Sequence, residues 1–418
     1  MHHVIIGAGP AGVVAAETLR KTDPTARITL IGDEPEPPYS RMAIPYYLVN
    51  NIDESGSYLR GDGAYFIDRG IDLKHERVRR VDAANRQLMF DNGQSQAFDR
   101  LLLATGSRPA TPPIPGVDLP QVHSCWTLED ARSIIELARP GSNVVLVGAG
   151  FIGCIILEAL IKRGVRLTVV EAGNRMVPRM LNEKAGGLLK QWCIDKGVDV
   201  HTSSQVQSIS GSPADDEVTV SLDNGHQFKA VLVITATGVR PNLELIEDSG
   251  IAFDQGILVD EHMQTSQAGI YAAGDVAQGR DFSSGENEVQ AIQPTATDHG
   301  RIAALNMAGR ITRHHGCLNM NVLDTLGLIS CSFGAWMGVE GGEQAELYQP
   351  EAFQYINLQF DGTRLVGASS VGKTQHVGVL RGLIESRIDL GAWKDRLLED
   401  PLCWMEAYLE RIHELAHR

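Results

Sequence analysis

Two glycine loops, each set between a short apolar run and an Ala/Leu-rich stretch, constrain this chain more than any other feature. The first is Gly7-Ala8-Gly9-Pro10-Ala11-Gly12, directly after Val4-Ile5-Ile6. The second is Gly148-Ala149-Gly150-Phe151-Ile152-Gly153, after Val144-Val145-Leu146-Val147. Strand, G-x-G-x-x-G, then helix is the pattern of a dinucleotide-binding turn. The first glycine permits the tight turn, the second lets the backbone reach a pyrophosphate, and the third lets helix and strand pack closely. The helix N-terminus then offers unpaired N–H groups and a partial positive charge to the phosphates. Two such loops imply two bound dinucleotides, and a protein that holds two usually moves electrons between them.

The surroundings of the loops repeat as well. Asp91-Asn92-Gly93 precedes Ala104-Thr105-Gly106-Ser107-Arg108-Pro109, and Asp223-Asn224-Gly225 precedes Ala236-Thr237-Gly238-Val239-Arg240-Pro241. Each Asp-Asn-Gly predicts a hairpin turn. Each following run, Phe98–Leu103 and Ala230–Thr235, predicts a buried strand ending at Ala-Thr-Gly. The two copies of this pattern are offset by 132 residues, close to the 141 between Gly7 and Gly148. The halves therefore read as copies of one nucleotide-binding unit.

The expected fold is α/β, with two doubly wound, Rossmann-like dinucleotide-binding domains, the second inserted in the first, plus a small α+β C-terminal domain. Residues 1–112 and 244–317 form the first domain, 116–243 the second and 318–418 the third. Pro109, Pro112, Pro113 and Pro115 mark a linker. Gly269 to Val276 predicts a strand ending in a turn, followed by a helix over Thr295–Arg310. In the third domain, strands are expected near 321–334 and 353–371, with a helix from about 401 to 417. That last helix places Leu402, Met405, Leu409, Ile412 and Leu415 on roughly one face.

Composition bounds the function classes. At 418 residues the chain is too long for one ordinary core. A net charge of −15 disfavours nucleic acid and anionic membranes as partners. The six cysteines, 125, 154, 193, 317, 331 and 403, are isolated, with no CxxC pair. Neither a disulfide framework nor an iron–sulfur ligand set is visible, and scattered thiols without a signal peptide predict a cytoplasmic protein. No apolar stretch approaches the ~20 residues of a membrane-spanning helix. No metal-ligand spacing stands out. His314-His315 is expected to be solvated, its two rings pointing different ways on a helix, and His123, His201, His226, His262, His299 and His376 are isolated, His299 lying in the segment after the Gly269 to Val276 motif.

These motifs, in this order, resemble the pyridine nucleotide-disulfide oxidoreductase family, and the resemblance covers the whole chain. Within the family the chain looks most like the rubredoxin, ferredoxin and nitrite reductase flavoproteins and the coenzyme A disulfide reductases. The resemblance implies FAD on the first domain, NAD(H) or a related nicotinamide dinucleotide on the second, and an interface role for the third. By position, Gly7, Gly9 and Gly12 would cradle the FAD pyrophosphate, with Arg41 nearby. Asp33 or Glu34 would accept from the adenosine ribose, and Val78 would lie near the adenine. Ala104, Thr105 and Gly106 would line the site, and Asp275 would bind the ribityl chain. In the second domain Gly148, Gly150, Ile152, Gly153 and Gly238 would line the nicotinamide-dinucleotide site. Glu171, 18 residues after Gly153, stands near the ~20 expected of a ribose-binding acid and would by its charge favour NAD(H) over NADP(H), the other reading being a solvated strand-end charge. Arg175 lies close behind it.

Two departures narrow the chemistry. Met42 stands where coenzyme A disulfide reductases and related oxidases carry a redox cysteine. A thioether forms neither a disulfide nor a sulfenic acid, so a thiol cycle at this position is excluded. Ile155 stands where most relatives carry a glutamate near the flavin. The implied chemistry is hydride exchange between nicotinamide C4 and flavin N5 with no protein nucleophile, the protein aligning the rings. The electron partner would be an iron–sulfur protein or the other subunits of a larger oxidoreductase complex. A free-standing ferredoxin or rubredoxin reductase and a non-enzymatic FAD/NAD-binding assembly protein are the alternatives.

Overall fold

The computed structural model describes residues 1–416. His417 and Arg418 lie outside the described residues, as do the side chains of 412–416, including Ile412 and Leu415 of the expected apolar stripe. The chain divides into two compact units, Met1–Arg108 with Val239–Cys317, and Pro109–Gly238 with the segment from Leu318 onward. Among the described residues no helix is long and apolar enough to cross a membrane.

The first unit is built on a five-stranded parallel sheet. Its order is Ile270–Ala272, Arg100–Leu103, His2–Ile6, Arg27–Gly32 and Ile71–His75. Parallel strands are covered on both faces and so read as continuous apolar runs. Val4, Ile5, Ile28, Leu30 and Leu101 to Leu103 are accordingly all buried. Helix Pro10–Thr22 joins the central strand to its neighbour, with proline in its first turn and Arg20 and Lys21 in its last, both favourable placements. Its small residues let helix Gln293–Met307 lie against it. At Gly300 a Cβ would overlap the Ala11 carbonyl oxygen. The sheet order reverses at strand His2–Ile6, so the loop after it opens at a topological switch point.

The second unit repeats the plan. Its parallel sheet runs Asp199–His201, Arg166–Val170, Asn143–Val147, Leu232–Thr235 and Val122–His123. In both units the strand before the glycine loop has the strand before the acidic residue on one side and the strand before Ala-Thr-Gly on the other. Both Asp-Asn-Gly segments are hairpin turns, with Gly93 at φ +80° and Gly225 at φ +85°. The expected strands are shorter than read. The first spans Arg100–Leu103, and the second breaks at Val231. There Ala230 ends the antiparallel meander and Leu232 enters the parallel sheet, so one apolar run serves two sheets.

Residues 320–371 form an antiparallel sheet in the order Met320–Thr325, Leu328–Gly334, Arg364–Val371, Gln354–Asp361, Glu343–Gln349. It is tied to the rest of its unit by polar contacts. Asn182 Nδ2 donates to Tyr355 Oη at 2.5 Å, and Trp192 Nε1 donates to the carbonyls of Thr325 and Leu326. Strand Glu343–Gln349 and helices Val377–Ser386 and Trp393–Glu399 were not expected from the sequence. The strand is a charged sheet edge, and such edges lack an apolar signature. Helix Thr295–Arg310 also needs correction. It runs Gln293–Met307 and stops at Gly309, at φ +81°, the usual glycine terminus.

Candidate functional site

The two glycine loops share one geometry, position for position. Gly7 and Gly148 have φ of +111° and +104°. A Cβ at Gly7 would overlap the Ala104 carbonyl oxygen, and one at Gly148 would stand 2.5 Å from that of Ala236. A Cβ at Gly12 or Gly153 would overlap the carbonyl oxygen of Gly7 or Gly148. At Gly9 and Gly150 a Cβ would meet no atom within 4 Å. The first and third glycines are thus demanded by the protein's own packing. The second is not, and its bare backbone fits close approach by a ligand. Gly9 and Gly150 also head their helices without a side-chain cap, and neither first turn carries an acidic residue. The amides there are available to an anion. Both loops therefore fit a dinucleotide pyrophosphate.

In the first unit the other flagged residues follow the carboxyl ends of neighbouring strands, at the edge where ligands bind in open α/β sheets. Glu34 accepts from Arg41 Nη2 at 2.6 Å and from the Tyr39 hydroxyl, while Asp33 is exposed. Ala104 is buried beside the Gly7 turn. Thr105 and Gly106 are fastened by Asn242. Its Nδ2 donates to the Thr105 carbonyl at 2.8 Å, and its N–H donates to the Gly106 carbonyl at 3.0 Å. Asp275 accepts from the Ser107 hydroxyl at 2.7 Å. Burial pushes the Asp275 carboxyl above its ordinary range, opposed by the Ser107 hydroxyl and the Arg41 guanidinium. The preceding Gly274 sits between Ala11 and Ala296, which brings the Asp275 turn to the N-terminal ends of two helices. Val78, half-buried, begins a strand of the antiparallel meander. Sequence reasoning missed Tyr39, Ser107 and Asn242. Ser107 and Asn242 flank the duplicated Arg-Pro pairs, which were the available signal.

In the second unit Glu171 closes on the glycine loop itself. Its Oε2 accepts from the Ala149 N–H and its Oε1 from the Gly173 N–H, each at 2.7 Å. Arg175 is spent on its own segment, donating to the carbonyls of Leu181 and Pro178 and to Asn174 Oδ1. Gly238, at φ +116°, follows Thr237, whose hydroxyl donates to the Ala110 carbonyl. Ile152 and Ile155 are half-buried on the helix that begins at the loop. Cys154 is fully buried, its Sγ donating to the Ala149 carbonyl, and burial pushes its thiol well above the ordinary range.

Met42 lies in a short turn of helix and is about half exposed. The preceding Ser40 donates from its hydroxyl to Gln293 Oε1 at 2.9 Å, joining this stretch to the helix after Asp275. The reading of His314-His315 as a solvated helical pair is corrected. Residues 310–316 are not helical, because the helix has already ended, and His314 is buried against His299 with ring centroids 4.7 Å apart. Burial pushes His299 down to about 3 and Cys317 up to about 11.

Comparison with known proteins agrees with this arrangement. The pyridine nucleotide-disulphide oxidoreductase family matches residues 1–300. The epsilon subunit of the NADH-dependent phenylglyoxylate dehydrogenase of Aromatoleum evansii is 31% identical over 404 residues, covering 96% of this chain and 95% of that one. Rhodocoxin reductase of Rhodococcus erythropolis is 32% identical, covering 93% and 91%. Among solved structures, the covalent putidaredoxin reductase–putidaredoxin complex superimposes with a TM-score of 0.89 at 25% identity, covering 98% of each chain. With two cradles that fit FAD and NAD(H), this chain belongs to the pyridine nucleotide-disulphide oxidoreductase family.

Proposed function

We propose that this protein is the NAD+-reducing flavin subunit of a multisubunit 2-oxoacid dehydrogenase of the phenylglyoxylate type, taking electrons from an iron–sulfur partner. The observation that carries the reading is a pair of dinucleotide cradles in one chain, with Met42 where thiol-using relatives place a redox cysteine. The end-to-end similarity to the phenylglyoxylate dehydrogenase epsilon subunit, 96% of this chain and 95% of that one, supports the finer assignment.

When bound, FAD and NAD(H) supply hydride exchange with each other and, on the flavin side, single-electron exchange with the partner. The chain's own share is placement and selection. The uncapped helix starts at Gly9 and Gly150 offset the pyrophosphate charges. Glu34 is the ribose acceptor of the first cradle rather than the exposed Asp33, and Arg41 holds its carboxylate in place. Glu171 accepts from the ribose hydroxyls of the second cradle and repels a 2′-phosphate. Arg175, bound to its own carbonyls, does not offset that repulsion. Ser107 fixes the Asp275 carboxylate for a hydroxyl-bearing chain.

Gentle purification from native expression levels tests this reading. A stoichiometric complex containing iron and a thiamine-type dehydrogenase subunit is expected. A lone flavoprotein that reduces ferredoxin or rubredoxin with NADH would favour a free-standing reductase, a reading supported by the similarity to rhodocoxin reductase. Flavin absorbance that survives anaerobic NADH would overturn both and leave an assembly role.

A further inference from the structure

We propose that His299, His314 and Cys317 form a structural site for a zinc-type divalent cation, with Asp298 as the fourth ligand. His299 comes from helix Gln293–Met307, and the other two from the segment that turns back along it. That return is built before any ion arrives. Asn306 holds Thr312 through both its backbone N–H and its carbonyl. The His314 N–H donates to the Glu261 carbonyl at 2.7 Å. Cys317 is locked at both ends, its N–H on the Arg280 carbonyl and its own carbonyl accepting from Phe282. The donor atoms are therefore set by backbone rather than by flexible loops.

Their spacing suits coordination. His314 Nε2 lies 3.2 Å from Cys317 Sγ, and His299 Nε2 lies 3.7 Å from the same sulfur. One donor atom from each of the three residues falls within 4.8 Å of the others. A tetrahedral ion with Zn–S of about 2.3 Å and Zn–N of about 2.0–2.1 Å separates sulfur from nitrogen by roughly 3.5 Å, between the two observed values. Asp298, outside that group of three, would close the remaining corner. Its Oδ1 is held by Arg301 at 2.7 Å, which leaves Oδ2 turned toward His314 Nε2 at 3.7 Å.

The chemistry of the set points to zinc. Two neutral imidazoles, one thiolate and one carboxylate make a borderline donor set that suits a tetrahedral ion without redox activity. Their summed charge of −2 cancels that of the cation, as a buried site requires. His299 and His314 are 3% and 5% exposed. Without an ion the Nε2 atoms of His299 and His314 and the Cys317 sulfur are packed against one another in the core, and a bound cation would satisfy all three donors at once. A bound ion would staple the return segment 310–317 to the helix.

Untagged full-length protein, stripped by chelator and re-equilibrated with zinc sulfate, should retain about one zinc per chain after dialysis, read by mass spectrometry. Cobalt added to the stripped wild type should give tetrahedral d–d absorption at wavelengths beyond the flavin bands, together with thiolate charge transfer. Cys317→Ser should remove the charge transfer and weaken zinc binding by more than the roughly ten- to hundred-fold expected from losing an outer-shell contact. Asp298→Asn, at a partly exposed position, should fold normally and weaken binding by a smaller factor. Wild-type protein that keeps no zinc, or whose cobalt form lacks the thiolate band, overturns the site without the need for any variant. Neither result bears on the electron-transfer reading.

Discussion

Replacing Gly12 by alanine should show that the third loop glycine serves folding, while Gly9→Ala should show that the second serves the ligand. An added Cβ at Gly12 overlaps the Gly7 carbonyl oxygen and stands 3.1 Å from its carbon and 3.3 Å from Ile5 Cγ2. The overlap is with backbone, so helix Pro10–Thr22 must slide by roughly an ångström to restore van der Waals contact. That helix buries Ala11, Val13, Ala15, Ala16 and Leu19. Overpacking of this kind costs about 1–3 kcal/mol. In a domain of about 150–250 residues each kcal/mol lowers Tm by ~2–4 °C, so the apo-protein should melt roughly 2–12 °C lower. The slide also withdraws first-turn amides from the pyrophosphate. Each charge-assisted hydrogen bond lost is about 1.5–3 kcal/mol, which weakens FAD binding at least about tenfold.

The second variant supplies the contrast. At Gly9 the Cβ direction is open and φ is −79°. Gly9→Ala should therefore fold with wild-type apo-stability, yet its methyl stands where the bound backbone would meet phosphate. The assay is the flavin-to-protein absorbance ratio after gel filtration, with thermal melts of apo and reconstituted protein. Full flavin content in both variants would refute the cradle. A large drop in apo-Tm for Gly9→Ala would refute the assignment of its open face to the ligand.

Other perturbations follow from the same contacts. Glu171→Ser removes the charge that repels a 2′-phosphate, so the ratio of kcat/KM for NADPH to that for NADH should rise about ten- to hundred-fold. An unchanged ratio would show that another residue sets the choice. His3 is fully buried and neither ring nitrogen has a hydrogen-bond partner. Burial lowers its folded pKa below the ordinary 6.5. The unfolded chain then binds the extra proton, so the His3 contribution is fully present above about pH 6.5 and is lost as pH falls toward the lowered folded value. His3→Leu should flatten this acid limb in melts taken from pH 8 to pH 5, and parallel curves would contradict the assignment. Glu17 accepts from Arg60 Nε at 2.6 Å and Nη2 at 3.0 Å and from the Tyr65 hydroxyl. Glu17→Gln should cost about 1–3 kcal/mol in chemical denaturation, below the roughly 3–5 of a fully buried pair because Arg60 is one-third exposed.

What the sequence made legible was whatever is written in contiguous residues. Each glycine loop, each Asp-Asn-Gly hairpin and the Gly269 to Val276 turn is a local pattern with a local physical reason. Repetition of these patterns announced the duplicated sheet order. What stayed hidden depends on where an element stops. His299, His314 and Cys317 meet only because helix Gln293–Met307 ends at Gly309 and the chain doubles back. Read without that turn, His314 and His315 are expected as a solvated helical pair. The charged edge strand Glu343–Gln349 was lost for a related reason, since only its neighbour on one side reveals it as a strand.

The two cradles also show where a duplicated unit keeps its freedom to specialise. The loop glycines are held alike in both copies, because backbone overlap forbids any other residue at the first and third positions. Discrimination must then come from the neighbouring strand ends, and there the copies differ. In the first, Glu34 is turned to Tyr39 and Arg41, and Ser107 and Asn242 brace the Ala-Thr-Gly turn and Asp275. In the second, Glu171 binds the Ala149 amide of the loop directly and Arg175 is tied to its own segment. Exchanging loops between the copies should therefore leave cofactor preference in place, whereas exchanging Glu171 with its surroundings should move it. A loop exchange that carried the preference with it would locate selection in the glycines and overturn this division of labour.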